Sequence, residues 1–455
     1  MSRPSEDGSS YTAHLKDLDV AKPTFAIPDI DSFCLVDQLG LTITGQHLEE
    51  RRAVLECRVL HHDPWCRNCG AEGVSIGTVV RRMAHVPLGW RPTTLLVRVR
   101  RYRCADCARV WRQDTSCAAA PRAKLSRHAV LWALKSLVID RMSITRIAAG
   151  LGAAWHTVNA AVLAAGAKLL INDPARFQGV EILGVDEHCW RHTGAGTHFV
   201  TVIIDLTPVR NGTGAARLLD MIPGRSKQVF KTWLDAQTTD FRDGIAAVAM
   251  DGFTGFKTAT AEELPQATAV MDPFHVVALA GDALDRCRQR VQQDTLGHRG
   301  RSGDPLYGTR RTLRTGADLL TEKQHQRLKK VFTVDEHVEV EATWSIYQKI
   351  VAAYRNPSKS EGKKQLQAVI DSLRRAVPRR LHELISLGRT FNRRAADILA
   401  YFDRPGTSNG PTEAINGRLE HLRGTALGFR NLAHYITRSL LDTGGFRPLL
   451  HPHLR

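Results

Sequence analysis

The sequence predicts a multidomain α+β protein, and three patterns predict it. Two close cysteine pairs sit among short alternating strands, a pair of helices is joined at a glycine, and apolar runs ending in acids alternate with helical stretches. Length agrees, because 455 residues are too many for one ordinary core. The chain carries 63 Lys and Arg against 46 Asp and Glu, a formal net charge of +17. Such a positive field suits a polyanion, so nucleic acid is the expected partner class. The opening MSRPSEDGSS lacks the apolar core of a signal peptide, and no apolar run approaches bilayer-spanning length. A cytoplasmic, nucleoid-associated protein without a membrane partner is expected.

Residues 1–34 are polar and Pro/Ser/Asp-rich without a period, and are expected to be a mobile arm. The runs LTITGQH, RRAVLECRVL and TTLLVRVRRYRC then suit twisted strands with one wet, arginine-rich face, over a module spanning 35–118. Within it, Cys66 and Cys69, and Cys104 and Cys107, form two C-x2-C pairs. Nine cysteines in a reducing compartment do not make a disulfide framework, and two chelating pairs close the tetrahedron that structural Zn2+ prefers. Cys57, His61 and His62 offer an alternative ligand. Four protein ligands leave no open coordination position, so the metal is expected to hold the module together, while Arg98, Arg100, Arg101 and Arg103 track phosphates.

Over 119–175, SITRIAAGLGAAWHTVNAAVL carries Ile144, Ile147 and Ala148 on one helical face, a turn at Leu151 and Gly152, then Val158 and Val162 on a second helix. This is the apolar frame of a helix-turn-helix, with Trp155, His156, Thr157 and Asn159 near the exposed start of the reading helix. The plain alternative is a helical hairpin inside a domain. Residues 176–280 alternate apolar strands (VEILGVDEHCW, THFVTVIIDLTP, AARLLDMIPG, GIAAVAMDGF, ATAVMDPFHV) with helices, the mark of an α/β layer. Residues 281–403 are helix-rich, with Tyr347, Ile350, Val351 and Tyr354 on a core stripe and Trp344 a weak candidate for stacking on a base. The last part, 404–455, holds Glu413 in the first turn of a helix.

Asp186 ends the run ILGV and Asp251 ends IAAVAM, so each leaves the carboxyl end of a buried strand, where open α/β sheets hold their sites. If those strands are neighbours, the repulsion between the carboxylates is relieved by protonation or by a divalent cation. Glu413 arriving on a helix completes a pocket for two Mg2+ ions suited to in-line phosphoryl transfer.

GVDEH with Asp186, MDGF with Asp251 and SNGPTEAINGRLEHLRGTALGFRN with Glu413 resemble the catalytic signature of the ISL3 family of bacterial insertion-sequence transposases, DDE enzymes with an RNase H-like core. The order of parts is similar too: a zinc module, a helix-turn-helix, then a catalytic core split by a helical insertion. The resemblance implies that Asp186, Asp251 and Glu413 bind two Mg2+ or Mn2+ ions, that the four cysteines bind Zn2+, and that Asn416 belongs to the glutamate motif. It implies a protein that binds terminal inverted repeats, cuts there, and joins the 3′-end to target DNA, as a homodimer or higher assembly on double-stranded DNA. The alternative is a zinc and helix-turn-helix regulator with an inactive core. Asp272, in DPFH, is a rival to Asp251, and His275 either contacts the transferred strand or caps a helix. Glu187 is expected to be a solvated acid, and Arg418, Arg423 and Arg430 to hold phosphates beside the metals.

Overall fold

The computed structural model describes residues 29–451 except 194, 195, 197, 376 and 405. Most of the expected arm, through residue 28, lies outside the described residues. Ile30–Phe33 forms a helical turn capped by Asp29. The chain divides into two compact units, one running to Trp132 and taking in Ala148–Ala154, the other made of Ala133–Ile147 and the chain from Trp155 onward.

The first unit is a sheet of β1 (Leu41–Leu48), β2 (Ala53–Val59), β3 (Gly73–Leu88), β4 (Arg91–Cys104) and β5 (Val110–Arg112), in the order β1-β2-β4-β3 with β5 on β4. Alternation drives Leu55, Leu95, Val97 and Val99 into one core with Leu41, Cys57 and Met83. Cys57 faces that apolar interior, and its sulfur is not among the ligand atoms that gather within 4.8 Å of one another. Beyond Val99 the buried face of β4 changes: Tyr102 and Cys104 point inward, opposite a bulge in β3 between Ser75 and Gly77. The expectation of one arginine-rich face is therefore corrected. Arg98 and Arg100 lie on one side of β4 and Arg101 and Arg103 on the other, because strand parity separates them. Tyr102 stacks on Trp111 at 5.6 Å, and Trp111 covers Gly73 so closely that a Cβ there would meet the ring at 2.3 Å.

The second unit holds the sheet β10-β9-β6-β7-β8, made of β6 (Ile182–Cys189), β7 (Phe199–Asp205), β8 (Arg217–Pro223), β9 (Ala247–Met250) and β10 (Thr268–Met271). β6, β7 and β8 are antiparallel neighbours, whereas β9 pairs parallel with β6 and β10 with β9. All five apolar runs of the α/β layer are strands. Leu183, Val185, Val248 and Met250 pack on the Lys227–Asp235 and Thr254–Glu263 helices through Phe230, Trp233 and Phe256. The intervening positions Ile182, Ala247 and Ala249 pack on the Gly410–Thr425 and Leu432–Thr443 helices through Ile415, Leu419 and Tyr435. Both faces are covered, which is why these strands read as continuous apolar runs.

The expected boundary at residue 281 falls inside one 24-residue helix, Pro273–Leu296, so the sheet runs into the insertion without a linker. The insertion buries its own core, including Leu284, Ile350, Leu366, Leu387 and Phe391. Tyr347, Ile350 and Val351 are buried, as their spacing predicts. Trp344 packs against this core and lies 5.4 Å from Phe332, which removes it as a base-stacking residue.

Candidate active site and metal centre

In the first unit the two cysteine pairs converge. Their four sulfurs lie within 4.8 Å of one another, the one group of three or more His, Cys, Asp or Glu ligand atoms this close among the described residues. Cys66 to Cys107 and Cys69 to Cys107 are 3.6 Å, and Cys69 to Cys104 is 3.3 Å. A ZnS4 tetrahedron with bonds of about 2.3 Å has edges of about 3.8 Å, so the cage is close to size and its donors are the soft thiolates zinc prefers. Each pair is made by a tight turn: Gly70 N–H donates to the Cys66 carbonyl, and Cys104 N–H to that of Arg109. The backbone N–H of Arg109 and then hydrogen bonds from neighbouring thiols lower Cys107, while, against a backbone hydrogen bond from Ala71, the thiols around it raise Cys69.

In the second unit, strand register gathers the aspartates. Val185 pairs with Met250, and Met250 with Met271, in adjacent parallel ladders. Asp186, Asp251 and Asp272 each follow the last of these paired residues, so three carboxylates stand in one row across the sheet. Asp186 does not end its strand, as its apolar run suggested. β6 continues three residues further because β7 still pairs with it there, Asp186 opposite Val202. Glu187 consequently points to the opposite face and pairs with Arg225 at 3.2 Å.

Glu413 reaches this row because Gly184 lets its helix approach. A Cβ on Gly184 would lie 2.7 Å from Thr412 Oγ1 and 3.1 Å from Leu206. Isolated glycine within a strand is a signal of such an approach. One turn beyond Thr412, Asn416 donates from Nδ2 to Asp186 Oδ2 at 3.0 Å, while its Oδ1 is buried without a partner. Burial, followed by the charges of Asp251, Glu187 and Glu413, pushes the Asp186 carboxyl up to about 7 against one lowering hydrogen bond from the Glu187 backbone. Burial and Asp272 raise Glu413 as well. The three acids do not approach within 4.8 Å of one another as the thiols do.

Two groups that sequence reasoning missed hold these elements together. His188, on the same face of β6 as Asp186, shares a hydrogen bond of 2.7 Å between Nε2 and Tyr435 Oη, and Tyr435 Oη lies 3.3 Å from the Leu419 carbonyl of the glutamate helix. Burial draws His188 down to about 4, so its ring is neutral. Behind Asp251, buried Arg394 of the insertion donates to the Gly252 carbonyl at 3.0 Å and to Asp397 at 2.5 Å. Neither residue stands in a recognisable sequence pattern.

Asp272 is buried, and both its oxygens accept backbone N–H groups, from Asn409 at 2.7 Å and His275 at 3.2 Å. It caps the long helix and anchors the start of the glutamate helix, so Asp251 has more free acceptor capacity. The His275 ring lies against Gly252, where a Cβ would be 2.2 Å from Nε2.

A cleft of about 1210 Å³ runs beside the glutamate helix and takes in Arg418, Arg423, Arg430, Trp155 and Asn159. Arg418 is paired with Asp442 at 3.1 Å and Arg423 with Glu420, whereas Arg430 is exposed. Trp155 and His156 are exposed and Thr157 half-buried at the start of their helix. Asn159 is corrected: it is only 6% exposed, because the i+4 position after Trp155 turns into the cleft floor. Where the glutamate helix ends, Leu427 N–H donates to the Gly424 carbonyl at 3.0 Å and Gly428 N–H to Arg423 at 2.9 Å, a Schellman motif. Its left-handed position, φ 54°, is held by Leu427 instead of glycine, at a cost of about 1–2 kcal/mol.

Sequence comparison places these elements in a class. The ISL3 family model, described as a transposase, matches residues 183–439, more than half of the chain. The chain belongs to this family and is a DNA transposase. It is 26% identical over 326 residues to the transposase of insertion sequence IS1557 from Mycobacterium tuberculosis, covering 66% of this chain and 69% of that protein. It is 25% identical over 277 residues to the IS1001 transposase of Bordetella parapertussis, covering 60% and 63%. A chain of the Drosophila P element transposase strand transfer complex aligns with a TM-score of 0.37 and 10% identity, over 71% of this chain and 91% of that one, too slight a likeness to build on. Among the described residues no single helix is long and apolar enough to cross a membrane.

Proposed function

We propose that the protein is a DDE transposase that cuts DNA at transposon terminal repeats and joins the freed 3′-end to target DNA. The observation that carries this reading is the row of Asp186, Asp251 and Asp272 across the sheet, with the glutamate helix packed on Gly184. The sheet order β8-β7-β6-β9-β10, antiparallel and then parallel about β6, supports an RNase H-like core over 176–280 and 404–455, divided by the 281–403 insertion. Asp186, Asp251 and Glu413 would hold two Mg2+ or Mn2+ ions, and the hard oxygen donors, with the orphaned Asn416 Oδ1 beside them, suit such cations. When bound, the ions supply charge neutralisation at the attacking and leaving oxygens of an in-line displacement. The chain's own part is positional. Asn416 orients Asp186, Tyr435 ties β6 to the glutamate helix, and Asp272 fixes where that helix starts. The Asp186 carboxyl, held up near neutral pH, gives up its proton there at little cost.

For DNA binding, Ile144–Leu151 and Trp155–Gly166, with a turn at Gly152 of φ 59°, are the two helices of the proposed helix-turn-helix. Trp155, His156 and Thr157 form its reading end. Arg98 and Arg100 on one face of the zinc-held module, and Arg101 on the other, are the phosphate contacts proposed there, with exposed Arg430 of the cleft a further one. A dimer or larger assembly would pair the two ends. The test is strand transfer in vitro with magnesium and terminal repeat DNA. Joined product from the wild-type protein, absent from Asp186→Asn, is expected, and full activity of that variant would refute the reading.

A further inference from the structure

The most exposed apolar side chain of the second unit is Leu427, 96% accessible at the turn that ends the glutamate helix. It holds the left-handed position that helix ends give to glycine, and this chain does use glycine at the equivalent place after Leu296, Gly297 at φ 74°. Glycines stand at 424 and 428, where a Cβ would meet open space. A strained leucine with its whole side chain in water is disfavoured twice, and no contact among the described residues repays it. It stands on the wall of the basic cleft, with Arg423, Arg430, His421 and His434. Charge complementarity makes the occupant a polyanion.

Resting on the transposase reading, we propose that Leu427 is a wedge that enters between base pairs of the bound DNA end and unstacks them about 20 Å from Glu413, at the far end of the helix that carries it. Apolar side chains inserted at a base step open and kink a duplex in this way. The surrounding cations hold the backbone while the leucine displaces the base, and the rigid Schellman turn fixes the tip with respect to the helix that carries Glu413. The kink at the opened step then sets the course of the DNA toward the carboxylates.

The experiment uses the full-length protein and end DNA carrying 2-aminopurine at successive pairs around the step about six pairs from the cut, the distance that separates Leu427 from Glu413. Binding of the wild type, or of Asp186→Asn, should raise the fluorescence severalfold. Leu427→Gly relieves the backbone strain, so its Tm should equal or exceed that of the wild type and its affinity for the end should be kept. Its fluorescence rise should be lost, and cleavage of the paired end should slow by about tenfold or more. Mismatched end pairs should restore cleavage, as should Leu427→Met. An unchanged fluorescence rise in Leu427→Gly, or wild-type cleavage of the paired end, overturns the wedge. So does a change confined to self-association of the DNA-free protein, which would make the leucine a contact between copies. A wild type that opens the end but neither cuts nor joins it counts against the transposase reading and leaves the wedge standing.

Discussion

The cysteine cage and the acidic row are both candidate metal centres, and they gather their donors in opposite ways. The four thiols come from two tight turns within 42 residues and already lie 3.3–3.6 Å apart where measured. The carboxylates come from two strands and a helix across 228 positions, from 186 to 413, and stay further apart. Soft thiolates packed this closely suit one small ion that neutralises them together. Burial first, and the neighbouring carboxylates second, raise Asp186 and Glu413. The thiols are thus gathered by local turns, and the acids by packing between elements.

Removing zinc should have the largest effect, on the order of 10 kcal/mol for the module that depends on it. Chelation, or Cys66→Ser, is expected to make β3–β5 sensitive to protease and to release one zinc per chain. A purified protein with no zinc and four freely reactive thiols would end the contrast. At the other centre, Asp186→Asn, Asp251→Asn or Glu413→Gln should lower cleavage and joining by about 10³-fold or more, about 4 kcal/mol, with end-DNA affinity nearly unchanged. If instead these variants bind DNA poorly but react normally once bound, the acids are not the reacting centre.

His188 sharpens the comparison through pH. Its folded value, about 4, lies below the ordinary 6.5, so its contribution is complete above pH 6.5 and is lost as pH falls through about 4. The loss is on the order of 3 kcal/mol across that window. Urea unfolding of wild type and His188→Gln between pH 4 and 7 measures it, and equal slopes would remove the assignment. Gly184→Ala should cost about 1–3 kcal/mol by overpacking against Thr412 and Leu206. It should also slow strand transfer, since the helix bearing Glu413 must move outward. A stable variant with normal activity would show that the close approach does not set the site.

Much of this was open to a reader of the residues. Five apolar runs are the five strands of the catalytic sheet, since strands covered on both faces carry apolar side chains at nearly every position. The cysteine pairs are local, and local spacing is what a sequence records directly. Asp186, Asp251 and Glu413 were recognisable from their motifs, but the alignment of the two aspartates in one row depends on register between strands 65 residues apart. Asp272 was weighed as a metal rival, and its bond to the Asn409 backbone is a tertiary fact, whereas its cap on His275 is local. Asn159 was taken for a reading residue because helical phase alone does not say which face another helix covers.

The sequence by itself determined the periodicities, the chelating spacings and the positive charge, because each depends on residues close in the chain or on composition. Tertiary structure alone decided that β6 lies beside β9, that Gly184 admits the glutamate helix, and that His188 meets Tyr435 across 247 positions. Such contacts rest on packing between elements that carry no mark of one another, so only the folded chain reveals them.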